Sequence, residues 1–360
     1  LQATLMKITR IESFIKHLLL KKPYTIAYNT YDTVSIVFTK ITLANGIVGI
    51  GTASPAEDVV GESPEQTLIN LESDAVQSLV GSDIRSFLSI ITDLRKTFVH
   101  LPGTQAALDI ALHDAFGKWA GISIADFYGI KRNALPTSVT IGIKNISDTL
   151  SEANDYYENG FSVFKLKTGL SVEEDIEKVL LLHEKFRHKI QMRVDANQGY
   201  TLADLTKFMK ATQSIPLELI EQPLKVGNEE ELLSLSEEQR KKLVADESLH
   251  EESDAIRFAQ PNRPFGIYNI KLMKCGGIAG AREIGQIART SEIDLFWGCN
   301  DESIISITAA LHAAYGFTNT KYLDLDGSFD LAEDLVKGGF EIKNGLLMIN
   351  EQPGLGLEWL

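Results

Sequence analysis

Two cysteines, Cys275 and Cys299, are all that 360 residues contain. No disulfide framework can support this fold, and the chain is expected in a reducing, cytoplasmic compartment. Long apolar runs are missing as well. The hydrophobic stretches are strand-length and interrupted, no window approaches the roughly 20 residues that span a bilayer, and no signal-peptide core opens the chain. Positive charge is scarce: 35 Lys and Arg stand against 49 Asp and Glu, a net charge of −14 spread along the sequence. That balance argues against nucleic acid and anionic membranes as partners. None of the seven histidines forms an HxH pair, and low-complexity segments are absent. Residues 1–5, ahead of Met6, read as a remnant without structural weight.

What is present is a large apolar fraction, 44%, enough for two domains or one large barrel with an attachment. From Pro136 onward, short β-rich runs recur roughly every 25 residues: TSVTIGI, FSVFKLK, IQMRVDAN, LELIEQP, KLVADES, IYNIKLM, IDLFWGCN and TKYLDLDG. Segments with helical periodicity, such as SVEEDIEKVLLLHEKF and GAREIGQIARTS, lie between them. Eight strands alternating with helices predict an α/β barrel. The first 130 residues differ. Strand-like runs flanking the turn Ala44-Asn45-Gly46 are followed by two amphipathic helices, the second closed by Gly121. The expected organisation is an α+β unit over 1–130, a barrel over 131–335, and a tail over 336–360 that returns to the first unit.

In such a barrel, functional groups gather where the strands end. The strand ends here carry Lys165 and Lys167, then Asp195 and Asn197, Glu221, Asp246 and Glu247, and Lys271. Asp195, Glu221 and Asp246 are 26 and 25 residues apart, one βα unit each. A single strand-end Asp is more often a helix cap. Three carboxylates on successive strands are instead a hard-oxygen set that suits Mg²⁺ better than zinc. Lys165 and Lys167 share one face of their strand, and a closed barrel has no solvated edge for them. Lys271 lies four strands away, across the mouth, which is the geometry for taking a proton from one side of a carbon and returning it on the other. Lys274, beyond its strand, reads as solvated or supporting.

The set KLK, VDAN, IEQP, ADES and NIKLMKCGG, with AALDIALHDAFGKWAG earlier and PGLGLE at the end, resembles the enolase superfamily in its muconate-lactonizing subgroup. The resemblance covers nearly the whole chain and is strongest to dipeptide epimerases of the L-Ala-D/L-Glu kind. It implies a modified TIM barrel, (β/α)7β, with an N-terminal α+β capping domain completed by the C-terminal tail. It further implies one Mg²⁺ per subunit on Asp195, Glu221 and Asp246, with Lys167 and Lys271 as opposed acid and base. Lys165 would stay charged and lower the pKa of Lys167, and Asn197 and Glu247 would be supports. The reaction implied is proton transfer at the α-carbon of a dipeptide's C-terminal residue through an ene-diolate. The mandelate-type branch needs a His at the end of strand seven, where this chain has FWGCN.

Asp324 and Asp326, in YLDLDG, resemble the pair by which dipeptide epimerases hold the substrate α-ammonium. Where the Ala-Glu enzymes carry an Arg in the first capping loop, this sequence offers Asn29 between Tyr28 and Tyr31. A small first residue and a neutral, apolar second residue are therefore expected, with Phe296, Trp297 and Cys299 walling the pocket, or the two aromatics packed in the core instead. The partners expected are a small-molecule dipeptide and further copies of the chain in a homo-oligomer. An N-succinylamino acid racemase or o-succinylbenzoate synthase would use the same lysines, and Asp324→Ala should separate these from a dipeptide enzyme. A catalytically silent binding protein is the remaining alternative, against which the retained carboxylates and lysines speak.

Overall fold

The structure, a computed structural model, describes residues 6–26, 29–130 and 134–360, with backbone alone for 22–26 and 29–31. Three antiparallel strands open the chain: β1 (Ile8–Ile26), β2 (Asn29–Leu43) and β3 (Val48–Ala53). Gly46 makes the β2–β3 turn at φ 86°, a left-handed conformation that favours glycine. Across this sheet lies the helix Pro102–Ala120, with Pro102 at its start, where no N–H is needed, and Gly121 as its left-handed cap. The two pack unusually closely. A Cβ on Gly49 would stand 2.3 Å from Ala111 O, and one on Gly51 2.1 Å from Ala107 O, so only glycine fits there.

After β4 (Leu135–Pro136) come eight parallel strands: β5 (Val139–Ile141), β6 (Val163–Lys167), β7 (Gln191–Asp195), β8 (Leu217–Glu221), β9 (Leu243–Ala245), β10 (Ile267–Ile270), β11 (Asp294–Trp297) and β12 (Thr320–Leu323). Each pairs with its sequence neighbours. A bridge between Thr137 and Leu323, with Ser138 N–H donating to Leu323 O at 2.9 Å, joins the first to the last. Helical segments fill the seven connections and none follows β12, so the observed order is (β/α)7β. Leu219, Val244, Ile267 and Phe296 form a separate cluster in the lumen, with Tyr322 packed against it. The buried Arg193 guanidinium lies 5.4 Å and 5.2 Å from the Phe296 and Tyr322 rings, and donates to Glu218 at 2.7 Å and Ser138 Oγ at 3.0 Å. The lumen is therefore a filled core, and only its mouth is open to chemistry.

The tail supplies β13 (Val336–Gly338), β14 (Phe340–Lys343), β15 (Leu346–Ile349) and β16 (Leu357–Trp359). β15 pairs with β4, while Trp359 packs edge-on against Phe14 and Phe38 of the first sheet at 6.2 and 5.9 Å. Asp114, on the long helix, accepts from both Ile50 N–H and Leu355 N–H at 2.9 Å, tying β3 to the tail. No helix among the described residues is long and apolar enough to cross a membrane.

Candidate active site

Side chains alternate along a strand, and this alternation aligns the functional groups. Lys165 and Lys167 on β6 share the lumen-facing parity with Arg193 and Asp195 on β7 and with Leu219 and Glu221 on β8. Asp246 and Lys271 follow β9 and β10 directly, and Asp324 follows β12. Immediately beyond Asp195 and Glu221, Asn197, Gln198 and Gln222 take positive φ values of 40°, 68° and 31°. Such left-handed non-glycine residues are costly and concentrate at functional sites. Gln222 is part of the scaffold: its Oε1 accepts from Asp246 N–H at 2.9 Å and Ser248 N–H at 3.1 Å.

The carboxylates and lysines interlock. Lys167 Nζ is 2.7 Å from Asp195 Oδ2 and donates to Asn197 Oδ1 at 3.0 Å. Lys271 Nζ is 2.8 Å from Asp246 Oδ2. Lys165 Nζ lies between three carboxylates, 2.7 Å from Asp324, 2.8 Å from Glu221 and 3.2 Å from Asp195. Glu221 Oε1 accepts from Asn269 Nδ2 at 2.6 Å. Among the described residues, no three carboxylates are drawn together at the spacing of a filled metal site; ammonium groups stand among them instead. Burial alone would raise the Asp195 pKa, but Lys167 and Lys165 outweigh it and bring it down to about 2. Lys271 and Lys274 likewise hold Asp246 well below the usual carboxylate range against its burial. For Glu221, burial and the negative charge of Asp195 win, pushing it up to about 8. Lys165, though buried, is raised well above its ordinary value by Asp324, Glu221 and Asp195.

Of the two sequence readings of Lys274, the structure excludes the solvated one and leaves it as a support. The short helix Leu272–Cys275 folds back after β10 and carries its side chain inward, leaving it 6% exposed. Its ammonium binds Asp246 Oδ1 and the Asp246 main-chain O. Asn269 and Ser138 were not singled out from sequence, although the first shares the parity of Lys271. Ser138 Oγ donates to Asp324 Oδ1 at 2.6 Å, so Asp324 is committed to Ser138 and Lys165. Asp326 is partly exposed and accepts Thr140 N–H at 2.8 Å; burial and the nearby Asp324 push it up to about 7.

A cavity of about 90 Å³ opens beside this network, lined by Ala56, Val59, Asn197, Glu247, Lys271 and Asn300. Asn197 Nδ2 is 3.3 Å from Glu247 Oε1 across it. The first unit reaches the mouth through Ser54, whose N–H points to Met273 Sδ at 3.2 Å and whose Oγ donates to Asp301 O at 2.7 Å. Asn300 Nδ2 returns a bond to Ser54 O at 3.1 Å. Of the residues expected to wall the pocket, Cys299 is engaged with Asp324 O and Gly327 N–H at 3.2 and 3.3 Å. Phe296 belongs to the lumen core. Trp297 is a correction: as the next residue on β11 it faces the helix layer, fully buried, with Nε1 donating to Thr320 Oγ1 at 3.1 Å. Tyr28 and the side chains of Asn29 and Tyr31 lie outside the described residues.

Comparison with known proteins matches residues 10–129 to the mandelate racemase / muconate lactonizing enzyme N-terminal domain and residues 148–360 to the enolase C-terminal domain-like family. The L-Lys-D/L-Arg epimerase of Desulforapulum autotrophicum is 49% identical, over 98% of this chain and 99% of that protein. The hydrophobic dipeptide epimerase of Enterococcus faecalis is 32% identical over the same shares. Among solved structures, the dipeptide epimerase of Methylococcus capsulatus complexed with Mg and the dipeptide L-Arg-D-Lys superposes with a TM-score of 0.96 at 43% identity, covering 98% of this chain and 100% of that one.

Proposed function

This chain belongs to the mandelate racemase / muconate lactonizing enzyme family of the enolase superfamily, and on that premise we propose that it is a magnesium-dependent dipeptide epimerase. The observation that carries the reading is a pair of lysines at the two ends of one carboxylate row, Lys167 at Asp195 and Lys271 at Asp246, 2.7 and 2.8 Å apart. Lys167 and Lys271 take and return the proton on opposite faces of a substrate α-carbon, one neutral while its counterpart is charged. Lys165 is held charged beside them by Asp324.

Asp195, Glu221 and Asp246 would hold the ion. One feature favours a cation there. The Oε2 atoms of Glu221 and Glu247 are buried without a hydrogen-bond partner, although Lys165 Nζ comes within 2.8 Å of the former. The carboxylates Asp195, Glu221, Asp246 and Asp324 are matched by the ammonium groups of Lys165, Lys167, Lys271 and Lys274. A divalent ion therefore adds net positive charge to the mouth instead of neutralising an acidic cluster. When bound, such an ion supplies Lewis-acid stabilisation of the negative charge that builds on a substrate carboxylate as its α-proton leaves.

The substrate class we propose is a dipeptide with cationic side chains. Two relatives at 49% and 43% identity are L-Lys-D/L-Arg epimerases. The missing loop arginine that pointed to a neutral second residue is equally what a cationic residue needs, and the net charge of −14 favours it. Asp326, less committed than Asp324, receives the substrate α-ammonium. The test is a kcat/KM panel with L-Lys-L-Arg, L-Arg-L-Lys, L-Ala-L-Leu and L-Ala-L-Glu, before and after EDTA dialysis. Cationic dipeptides should lead by at least about tenfold, the value of one good charge-assisted contact, and EDTA should abolish turnover until Mg²⁺ is restored. A lead for L-Ala-L-Glu or L-Ala-L-Leu would overturn the substrate class, and indifference to EDTA the metal.

A further inference from the structure

In each of the three row carboxylates, one oxygen is held by a donor built into the protein and the other faces the ammonium of a lysine on a barrel strand or at its end. Asp195 Oδ1 accepts Asn197 N–H at 2.9 Å, while Oδ2 meets Lys167. Glu221 Oε1 accepts Asn269 Nδ2 at 2.6 Å, while Oε2 faces Lys165. Asp246 Oδ1 accepts Lys274 Nζ, while Oδ2 meets Lys271.

The built-in donors have little freedom. Lys274 also bonds the main-chain O of Asp246 at 2.5 Å and that of Asn269 at 3.3 Å, so it grips one residue at two points. Asn269 is fully buried beneath Gly298, where a Cβ would stand 2.6 Å from its amide oxygen. Asn269 was not singled out from the sequence and Lys274 was read there only as solvated or supporting; both act on a carboxylate from outside the row.

We propose that Asn269 and Lys274 are positioning residues that hold Glu221 and Asp246 as one-oxygen ligands, and so make the site discriminate Mg²⁺ from Ca²⁺. The inference rests on the metal reading above. Mg²⁺ demands six oxygens in a tight octahedron, whereas Ca²⁺ takes six to eight at longer range and commonly binds carboxylates through both oxygens. An oxygen that already accepts a short, charge-assisted hydrogen bond has its donor where a second metal contact would form. With all three carboxylates restricted in this way, the protein offers three oxygens and leaves the rest of the shell to water and substrate. That composition suits the smaller ion.

Lys274 is also a point charge, and removing it would strengthen the binding of either divalent ion. That effect is common to both ions, so the ratio of affinities isolates the positioning role.

The experiment is calorimetric titration of the metal-stripped full-length protein with MgCl₂ and separately with CaCl₂, without substrate, for the wild type, Asn269→Leu and Lys274→Met. The wild type should prefer Mg²⁺, and each variant should shift the Mg²⁺/Ca²⁺ affinity ratio toward Ca²⁺ by about tenfold or more, the usual reach of outer-shell partners. Folding is checked by circular dichroism, and either folded variant suffices. A ratio within twofold of wild type in a folded variant overturns the proposal. So does loss of fold in both variants, because a residue needed only to orient a ligand leaves the metal-free barrel intact. A wild type that binds neither ion would instead overturn the metal reading itself.

Discussion

Lys165 and Asp324 meet across the seam of the barrel, Nζ 2.7 Å from Oδ2, joining the second strand to the residue after the eighth. Substituting Asp324 therefore disturbs Lys165, and through it Glu221 and Asp195. Loss of activity in Asp324→Ala would not separate a dipeptide enzyme from one acting on N-succinylamino acids. Asp326 gives the cleaner experiment, since its carboxylate is bound by one main-chain N–H, from Thr140. We predict that Asp326→Asn lowers kcat/KM for dipeptides by roughly 10- to 100-fold, the scale of a hydrogen bond to a charged group. Any turnover of N-succinyl-arginine should stay within about twofold of wild type, because that substrate has no α-ammonium to bind. Equal losses on both substrates would refute ammonium recognition by Asp326.

Proton transfer by two opposed lysines has an isotopic signature. Lys167→Ala and Lys271→Ala should each slow epimerisation by on the order of 10²- to 10⁴-fold. Each variant, incubated in D₂O, should still exchange the α-proton of one epimer, and the epimer should differ between the two. Mass spectrometry of the recovered dipeptides reads this directly. Exchange of both epimers by either variant would show that a single base serves both faces.

Strand parity and the spacing of strand ends made much of the site legible. The eight runs marked in the sequence contain β5 to β12, and Lys165, Lys167, Asp195, Glu221, Asp246 and Lys271 do converge on one mouth. What escaped was set by chain reversals and by closure of the ring. Lys274 is buried because four residues of helix turn it back over Asp246, whereas an extended loop would have sent it to solvent. The partnership of Lys165 with Asp324 spans 159 residues and exists only once the first and last strands meet. Trp297 was misjudged for a simpler reason: Phe296 and Trp297 are consecutive on one strand and cannot both face the lumen.

Glu302, in the loop after β11, predicts a pH effect on stability. It is 2% exposed, its Oε1 accepts Asn300 N–H at 2.8 Å, and burial pushes its pKa up to about 7 from an ordinary 4.5. Between those values the folded chain holds a proton that the unfolded chain has released, so stability falls as pH rises through that window. Below pH 4.5 both states are protonated and nothing is lost. Above about pH 7 the full difference applies, on the order of 3 kcal/mol. Glu302→Gln keeps an acceptor for Asn300 without the ionisation. Its advantage in thermal stability over wild type should be absent at pH 4, grow to pH 7 and level off beyond; a pH-independent difference would contradict this account.

Asp109, in the capping-unit helix Pro102–Ala120, offers a stability test at the contact between cap and barrel. Its carboxylate accepts Ile278 N–H at 2.7 Å and Ala279 N–H at 3.1 Å, capping the barrel helix Ile278–Thr290 from outside that helix. His113 Nδ1 lies 3.2 Å away, and a Cβ on Gly277 would stand 2.6 Å from the Asp109 side chain, so the two elements pack closely here. Asp109→Ala would strand the buried Ile278 N–H and the part-buried Ala279 N–H at a helix start, where both the lost cap and the unmet hydrogen bonds count, for a loss of about 2–4 kcal/mol. Asp93 is the control, because its pairing with Lys96 is 74% exposed on both sides and such pairs contribute little. In urea unfolding, Asp109→Ala should lower the midpoint clearly with an unchanged slope while Asp93→Ala leaves it in place. Equal midpoints for the two variants would mean that the contact between cap and barrel holds without help from this carboxylate.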